Sequence, residues 1–257
     1  MNFLGIFLAI GCIVAAMMME GTNPTMMLVL PAFLVVFGAS FFACVVQFPL
    51  ATIIGAFKCF IWTIAPPRNN MDAQVELLVG LSTTARQQGL LALENSIASA
   101  SDDFTRDGIQ MIVDGVDKDA LKEILEQGIA VEEAKYEPYA KMLEAMGGYS
   151  PTMGIIGAVL GLIHAMSLLD RPDELGPAIA VAFVATIYGL VLANLICLPA
   201  SNLIKGIVAN QTLYKYMTLE GLVSIAAGEN TMMLKRRLAV YAGEKNESRR
   251  FMKKFSN

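Results

Sequence analysis

The chain has 257 residues, of which 55% are hydrophobic and 16% charged, and its mean hydropathy is +0.55; that is too apolar and too weakly charged for a water-soluble domain and marks an integral membrane protein. It contains no G-x-x-x-x-G-K-[ST], no H-E-x-x-H and no acidic calcium loop, so an enzyme, a bound metal, a cofactor or a nucleic-acid partner is not expected. The net charge of −4 hides a split: residues 68–148 hold 7 basic and 15 acidic side chains and residues 205–257 hold 10 and 4, which suits the first segment to a basic partner and the second to anionic lipid or acidic protein.

In chain order, residues 3–19 form a first apolar span. Lacking a basic n-region and an A-x-A cleavage pattern, it is expected to be retained. A turn carrying Asn23-Pro24 leads into a second span, residues 26–48, inside which Pro31 would free a carbonyl for a neighbouring helix to cover. Residues 50–64, apolar except for Lys58, either continue that helix past a kink at Pro49 or lie as a separate piece along the interface, where Trp62 fits. Residues 71–100 read as one helix, with Val75, Leu78, Leu81, Ala85, Leu90, Leu93 and Ile97 near helical spacing despite Gly80 and Gly89. Asp102 and Asp103 cap a piece over 104–113, and Asp117 opens a helix that runs through Tyr139 and Met142, with Pro138 as a candidate kink. These helices are polar on one side, which predicts a compact bundle. Residues 149–169 and 177–203 each supply the roughly 20 apolar residues that cross hydrocarbon ~30 Å thick. Residues 205–238 are again helical in pattern, and Lys235-Arg236-Arg237, Arg249-Arg250 and Lys253-Lys254 give a basic end.

Of the 19 basic residues only Arg171 lies in a short turn between spans, so the positive-inside rule places the two polar regions and both termini in the cytoplasm. The expected fold is an all-α integral membrane protein with four transmembrane helices, a helical cytoplasmic insertion between spans two and three, and a basic cytoplasmic C-terminal tail. Its parts are residues 1–64, a first transmembrane hairpin with an interfacial extension; 65–148, a cytoplasmic helical domain; 149–204, a second hairpin; and 205–257, the C-terminal helix and tail. Cys12, Cys44, Cys59 and Cys197 lie in or beside apolar blocks and read as small packers.

The second hairpin carries the chemistry. Gly154, Gly157, Ala158 and Gly161 in the third span, and Ala178, Ala182, Ala185 or Thr186, Gly189 and Ala193 in the fourth, recur at helical spacing, a pattern that lets backbones approach closely in lipid. No Asp, Glu, Lys or Arg lies in the core of any span. If this hairpin conducts ions, the titrating carboxylate must come from a partner. Thr186, Pro151 and Pro199 are candidate pathway or hinge elements, although local chemistry favours a Thr186 hydroxyl bonded back to its own helix. His164 has two readings, a proton relay near the external mouth or a hydrogen-bonded interfacial histidine, and the second is the more ordinary.

The strings PTMGIIGAVLGLIH over 151–164, AVAFVATIYGLVLANLICLP over 180–199 and ARQQGLLALE over 85–94 resemble the third and fourth transmembrane helices and the cytoplasmic R-x-x-G-x-L-x-L-E motif of flagellar stator A subunits, the MotA/PomA family. The resemblance implies a motor subunit of the bacterial inner membrane. In that family five A subunits surround two B subunits, whose transmembrane helix supplies the essential aspartate and whose periplasmic domain grips peptidoglycan. It further implies that Arg86 and Glu94 meet the rotor's switch protein, and that Pro151 and Pro199 couple ion movement to conformational change. On one continuous helix Arg86, Leu90 and Glu94 would share roughly a quarter turn of surface.

Sodium-type members tend to have threonine where this chain has Ala158, while Thr186 matches a threonine common to both types. Loss of one hard oxygen ligand disfavours a dehydrated sodium ion, so the expected ion is a proton. Two other functions compete: a TolQ/ExbB-like energiser of an outer-membrane system, which usually has three spans and lacks the Arg86–Glu94 motif, and a non-conducting membrane scaffold.

Overall fold

The structure, a computed structural model, describes residues 2–67 and 69–241. Among them every regular element is helical: α1 (Asn2–Met19), α2 (Leu30–Gln47), α3 (Leu50–Phe60), α4 (Met71–Gln88), α5 (Asp103–Val113), α6 (Lys118–Met166), α7 (Pro172–Ala226) and α8 (residues 231–241), with short 3-10 pieces between some of them. α2, α6 and α7 are long and apolar enough to cross a membrane, and Leu4–Met19 and Leu50–Thr63 are shorter apolar helices. The basic pairs Arg249-Arg250 and Lys253-Lys254 lie outside the described residues.

Two compact units divide the chain: Met1–Pro67 with Lys135–Ile207, and Arg68–Ala134 with Val208–Asn257. The boundaries expected after residues 148 and 204 fall inside α6 and α7, which run on without interruption because neither Pro138 nor Pro151 breaks the 49-residue α6. The hydroxyls flanking Pro151 donate to carbonyls of the preceding turn, Ser150 to Met146 at 2.5 Å and Thr152 to Tyr149 at 2.7 Å.

The first unit hides narrow stripes and leaves the rest to lipid. On α2 the buried residues are Ala32, Val36, Ser40 and Cys44, one every fourth position, while Phe33, Leu34, Phe42 and Val46 are exposed. Pro31 does not sit inside a span as expected. α2 begins at Leu30, so Pro31 occupies the first turn, where its missing N–H had no helical partner to lose. Pro49 ends α2 and caps α3, so the separate-piece reading of residues 50–64 holds. Cys44, Cys59 and Cys197 are buried packers as expected, and Cys12 is exposed.

The second unit has a water-soluble kind of core, with Leu78, Leu93, Ile109, Leu121, Met217, Leu222 and Leu234 fully buried. The Asp102 cap read from the sequence is in place, accepting from the Thr105 N–H at 2.8 Å, and the structure adds a cap at Asn70, which accepts from the Ala73 N–H at 3.4 Å. Two helices expected as continuous are broken, and in each the break is a glycine in the left-handed region. α4 stops at Gly89 (φ +89°) and the chain goes on as a 3-10 helix over Leu90–Ser99. α7 stops before Gly228 (φ +68°), whose N–H and that of Glu229 bond back to Ile225 and Ser224; this is the Schellman closure that glycine permits.

A buried polar chain ties α4, α5 and α7 together. The Gln74 amide donates to Thr105 Oγ1 at 2.8 Å and Thr218 Oγ1 at 3.1 Å, while the Thr105 and Tyr214 hydroxyls donate to Asp102 Oδ2 at 2.8 and 2.9 Å. Burial, reinforced by the Asp102 charge, pushes the Tyr214 phenol up to about 12, so it stays a donor throughout the physiological range. Removing the amide takes away the donor that two buried threonine oxygens accept from, although each hydroxyl keeps the bond it donates, Thr105 to Asp102 and Thr218 to the Tyr214 carbonyl. Gln74→Ala is expected to cost about 1–3 kcal/mol and to lower the melting temperature of the purified protein. A value matching that of the exposed-site control Gln127→Ala would contradict the role of the network.

Candidate functional site

The seam between α6 and α7 is built of backbone. A Cβ placed on Gly189 would lie 2.5 Å from the Ser150 carbonyl oxygen and 3.1 Å from Pro151 Cα; one on Gly154 would lie 2.9 Å from the Ala185 oxygen and 3.2 Å from Thr186 Cα. Further along, Gly157 and Gly161 meet Ala185 and Ala182 in the same way. The small residues therefore do what their spacing predicts, closing the hairpin to a distance no larger side chain allows.

This seam brings Pro151, Thr186 and Gly189 together, with Ala158 one turn beyond Gly154 on α6. Ala158 and Thr186 are both half-buried. The expected back-bond of Thr186 is not made: Thr83 and Thr218 donate to the carbonyl four residues earlier at 2.9 and 3.0 Å, but among the described residues Thr186 forms no such bond. Its hydroxyl remains available to a ligand. Pro199 is exposed and stands just past a π-turn over Leu192–Cys197. The wider turn relieves the clash that a proline ring makes with the preceding helical turn. His164 does not join the seam. Its side chain is exposed on α6 while the next residue, Ala165, is buried; its carbonyl accepts from the Ser167 N–H and hydroxyl, and its imidazole makes no hydrogen bond among the described residues.

Sequence reasoning missed Tyr188. Its hydroxyl donates to the Met27 carbonyl and accepts from the Val29 N–H at 3.4 Å, and its ring packs edge-on against Phe37 at 6.2 Å. Residues 28 and 29 are the non-helical link between a 3-10 turn and α2, so their polar groups need a partner in an apolar setting. The available signal was the tyrosine itself, whose hydroxyl in the middle of an apolar span must find one.

Arg86 and Glu94 are both exposed, but they do not share a helix face. Arg86 is in the last turn of α4, Glu94 is in the following 3-10 helix, and Gly89 turns the chain between them. The exposed Leu91 lies on the same segment as Glu94.

The MotA/TolQ/ExbB proton channel family model matches residues 96–217. Motility protein A of Helicobacter pylori is 35% identical over 240 residues, 93% of either chain. The chain belongs to this family. Two solved assemblies agree with it in three dimensions: the Campylobacter jejuni MotAB structure, with a TM-score of 0.89 at 28% identity over 93% of this chain and 94% of that one, and the flagellar MotAB stator complex of Bacillus subtilis, with 0.88 at 28% identity over 96% and 97%. The protein is a multi-pass membrane protein with the MotA stator fold. Pro151, Ala158, His164, Thr186 and Pro199 fall within the matched family segment; Arg86 and Glu94 precede it.

The close seam gives a direct test. Gly189→Ala puts a methyl group onto the Ser150 carbonyl, whereas a Cβ on Gly148 has nothing within 4 Å. Gly189→Ala is expected to reduce swimming to a small fraction of wild type at equal membrane level, with Gly148→Ala near normal. Equal swimming by the two variants would show that the contact is dispensable.

Proposed function

We infer that this chain is the A subunit of a flagellar motor stator. The carrying observation is the full-length likeness to motility protein A, joined to a hairpin of α6 and α7 whose apolar core holds no Asp, Glu, Lys or Arg. Such a hairpin is half of an ion path. The other half is a transmembrane aspartate from a MotB-like B subunit anchored to peptidoglycan, and the solved MotAB complexes of the relatives support that pairing. The A subunits form a ring, taken to be five around two B chains, and ion flow past the aspartate turns this ring against a FliG-like switch protein.

Four spans are proposed, α1, α2 and the apolar parts of α6 and α7, in the bacterial inner membrane with both termini cytoplasmic. At 18 residues α1 reaches about 27 Å, close to the hydrocarbon thickness. The basic residues support this orientation. α6 at 49 residues extends about 74 Å and so runs well past the bilayer. Residues 65–148 and 205–257 then make the cytoplasmic part.

The ion path runs by Ala158 and Thr186, with the unbonded Thr186 hydroxyl supporting its part. Pro151, packed against Gly189, and Pro199, behind its π-turn, couple ion movement to helix movement. Arg86 and Glu94 present charge to the rotor from two sides of the Gly89 turn. The transported ion is a proton, since Ala158 offers no oxygen. His164, exposed and apart from the seam, is an interfacial residue.

In a strain lacking its own A subunit, the chain with its cognate B subunit restores swimming in sodium-free medium; speed that follows external sodium would overturn proton coupling. Arg86→Glu lowers swimming severely, and a reversed charge on the switch protein restores part of it, whereas unaffected swimming would remove Arg86 from the rotor contact. His164→Gln leaves torque unchanged, and a severe loss would restore the relay.

A further inference from the structure

A cavity of about 480 Å³ opens between α3 and α6, away from the α6–α7 seam. One side is apolar, with Ala51 and Ile54, and the other is an aromatic row in which Trp62 lies 5.2 Å from Tyr136 and Tyr136 lies edge-on to Tyr139 at 6.0 Å. Gly55 makes the row fit, because a Cβ there would sit 2.5 Å from Tyr139 Cζ. Two ammonium groups also line the cavity, from Lys58 and Lys135, and the second rests 5.8 Å from the centroid of the Tyr136 ring.

Neither lysine forms an ion pair among the described residues. The carboxylates around Lys135 are engaged elsewhere or unpaired: Glu132 binds Lys215, Glu137 binds Lys141 at 2.7 Å, and Glu133 pairs with no lysine. The bond from Lys141 holds the Glu137 carboxyl below its ordinary range, which keeps that charge committed. Two positive charges on one cavity repel unless an anion lies between them. Beside them Ile54, Phe57 and Ile61 are exposed apolar surface, and a tryptophan with tyrosines and lysines is the composition of a membrane–water boundary.

We propose that this cavity holds the headgroup phosphate of an anionic phospholipid. Lys58 and Lys135 take the phosphodiester charge, the Trp62–Tyr136–Tyr139 row borders the glycerol region, and Ile54, Phe57 and Ile61 lie along the acyl chains. Basic pockets between helices at the membrane surface are suited to such lipids. The apolar rim distinguishes this occupant from free phosphate, for which it would offer nothing. The site is independent of the ion path and of which side of the membrane it faces.

The test uses the purified A–B complex, stripped of lipid in detergent and titrated with phosphatidylglycerol or phosphatidylcholine, with bound lipid read by native mass spectrometry. Phosphatidylglycerol is expected to bind in preference, and Lys58→Gln/Lys135→Gln to weaken it by about 30-fold while the phosphatidylcholine signal and the Lys118→Gln control stay unchanged. If the double variant does not assemble, each single variant is expected to weaken binding by about fivefold. Undiminished phosphatidylglycerol binding in the variants overturns the proposal. So does displacement of the lipid by millimolar inorganic phosphate, which would make this a free-anion site. A change in subunit number with lipid binding intact would make the groove a contact between copies and overturn it equally.

Discussion

Inside a bilayer every backbone polar group and every charge needs a partner within the protein, and the hairpin of α6 and α7 meets that demand by removing side chains. With Gly154, Gly157, Gly161 and Gly189 at the contact, the two helices meet through carbonyl oxygens, Cα atoms and the methyl groups of Ala182 and Ala185. The seam has no acid or base of its own. Its remaining polar feature is the Thr186 hydroxyl beside Gly154, in a wall otherwise built of alanine and glycine. On the proposed function such a wall leaves the charge-carrying step to another chain, and Pro151 lies where Gly189 brings the two helices together. Tyr188 serves the same constraint two residues from Thr186, closing the backbone gap that precedes α2.

The second unit is held by different physics. Its core of leucine and isoleucine draws on the hydrophobic effect, which does not separate helix from lipid tail in the first unit. The buried chain from Gln74 through Thr105 to Asp102 and Tyr214 fixes how α4, α5 and α7 meet. The exposed segment around Gly89 is thereby carried on a rigid support. Arg86 comes from the end of a helix and Glu94 from a 3-10 helix, so the two charges are set by a turn and not by a helical repeat.

Much of this was legible in the sequence because membrane patterns are strong. The apolar blocks, the glycine spacing of the hairpin, and the cap at Asp102 each follow from one physical rule. What escaped depended on a choice between two permitted conformations. Gly89 sits in a run whose apolar residues fit helical spacing, and a glycine within a helix is tolerated; only its positive φ ends α4. Gly228 ends α7 in the same manner. Pro31 looked internal because the apolar run begins at Met26, whereas helix geometry begins at Leu30. The partner of Tyr188 lies some 160 positions away, a pairing that spacing cannot reveal.

The central claim is that the hairpin lacks an essential carboxylate and receives it from its partner. The most direct measurement is proton uptake into liposomes holding this chain alone, with a plug-deleted B subunit, or with the same B subunit carrying its transmembrane aspartate as asparagine. The account predicts uptake only in the second case. Equal uptake by the chain alone, or by the asparagine complex, would contradict it.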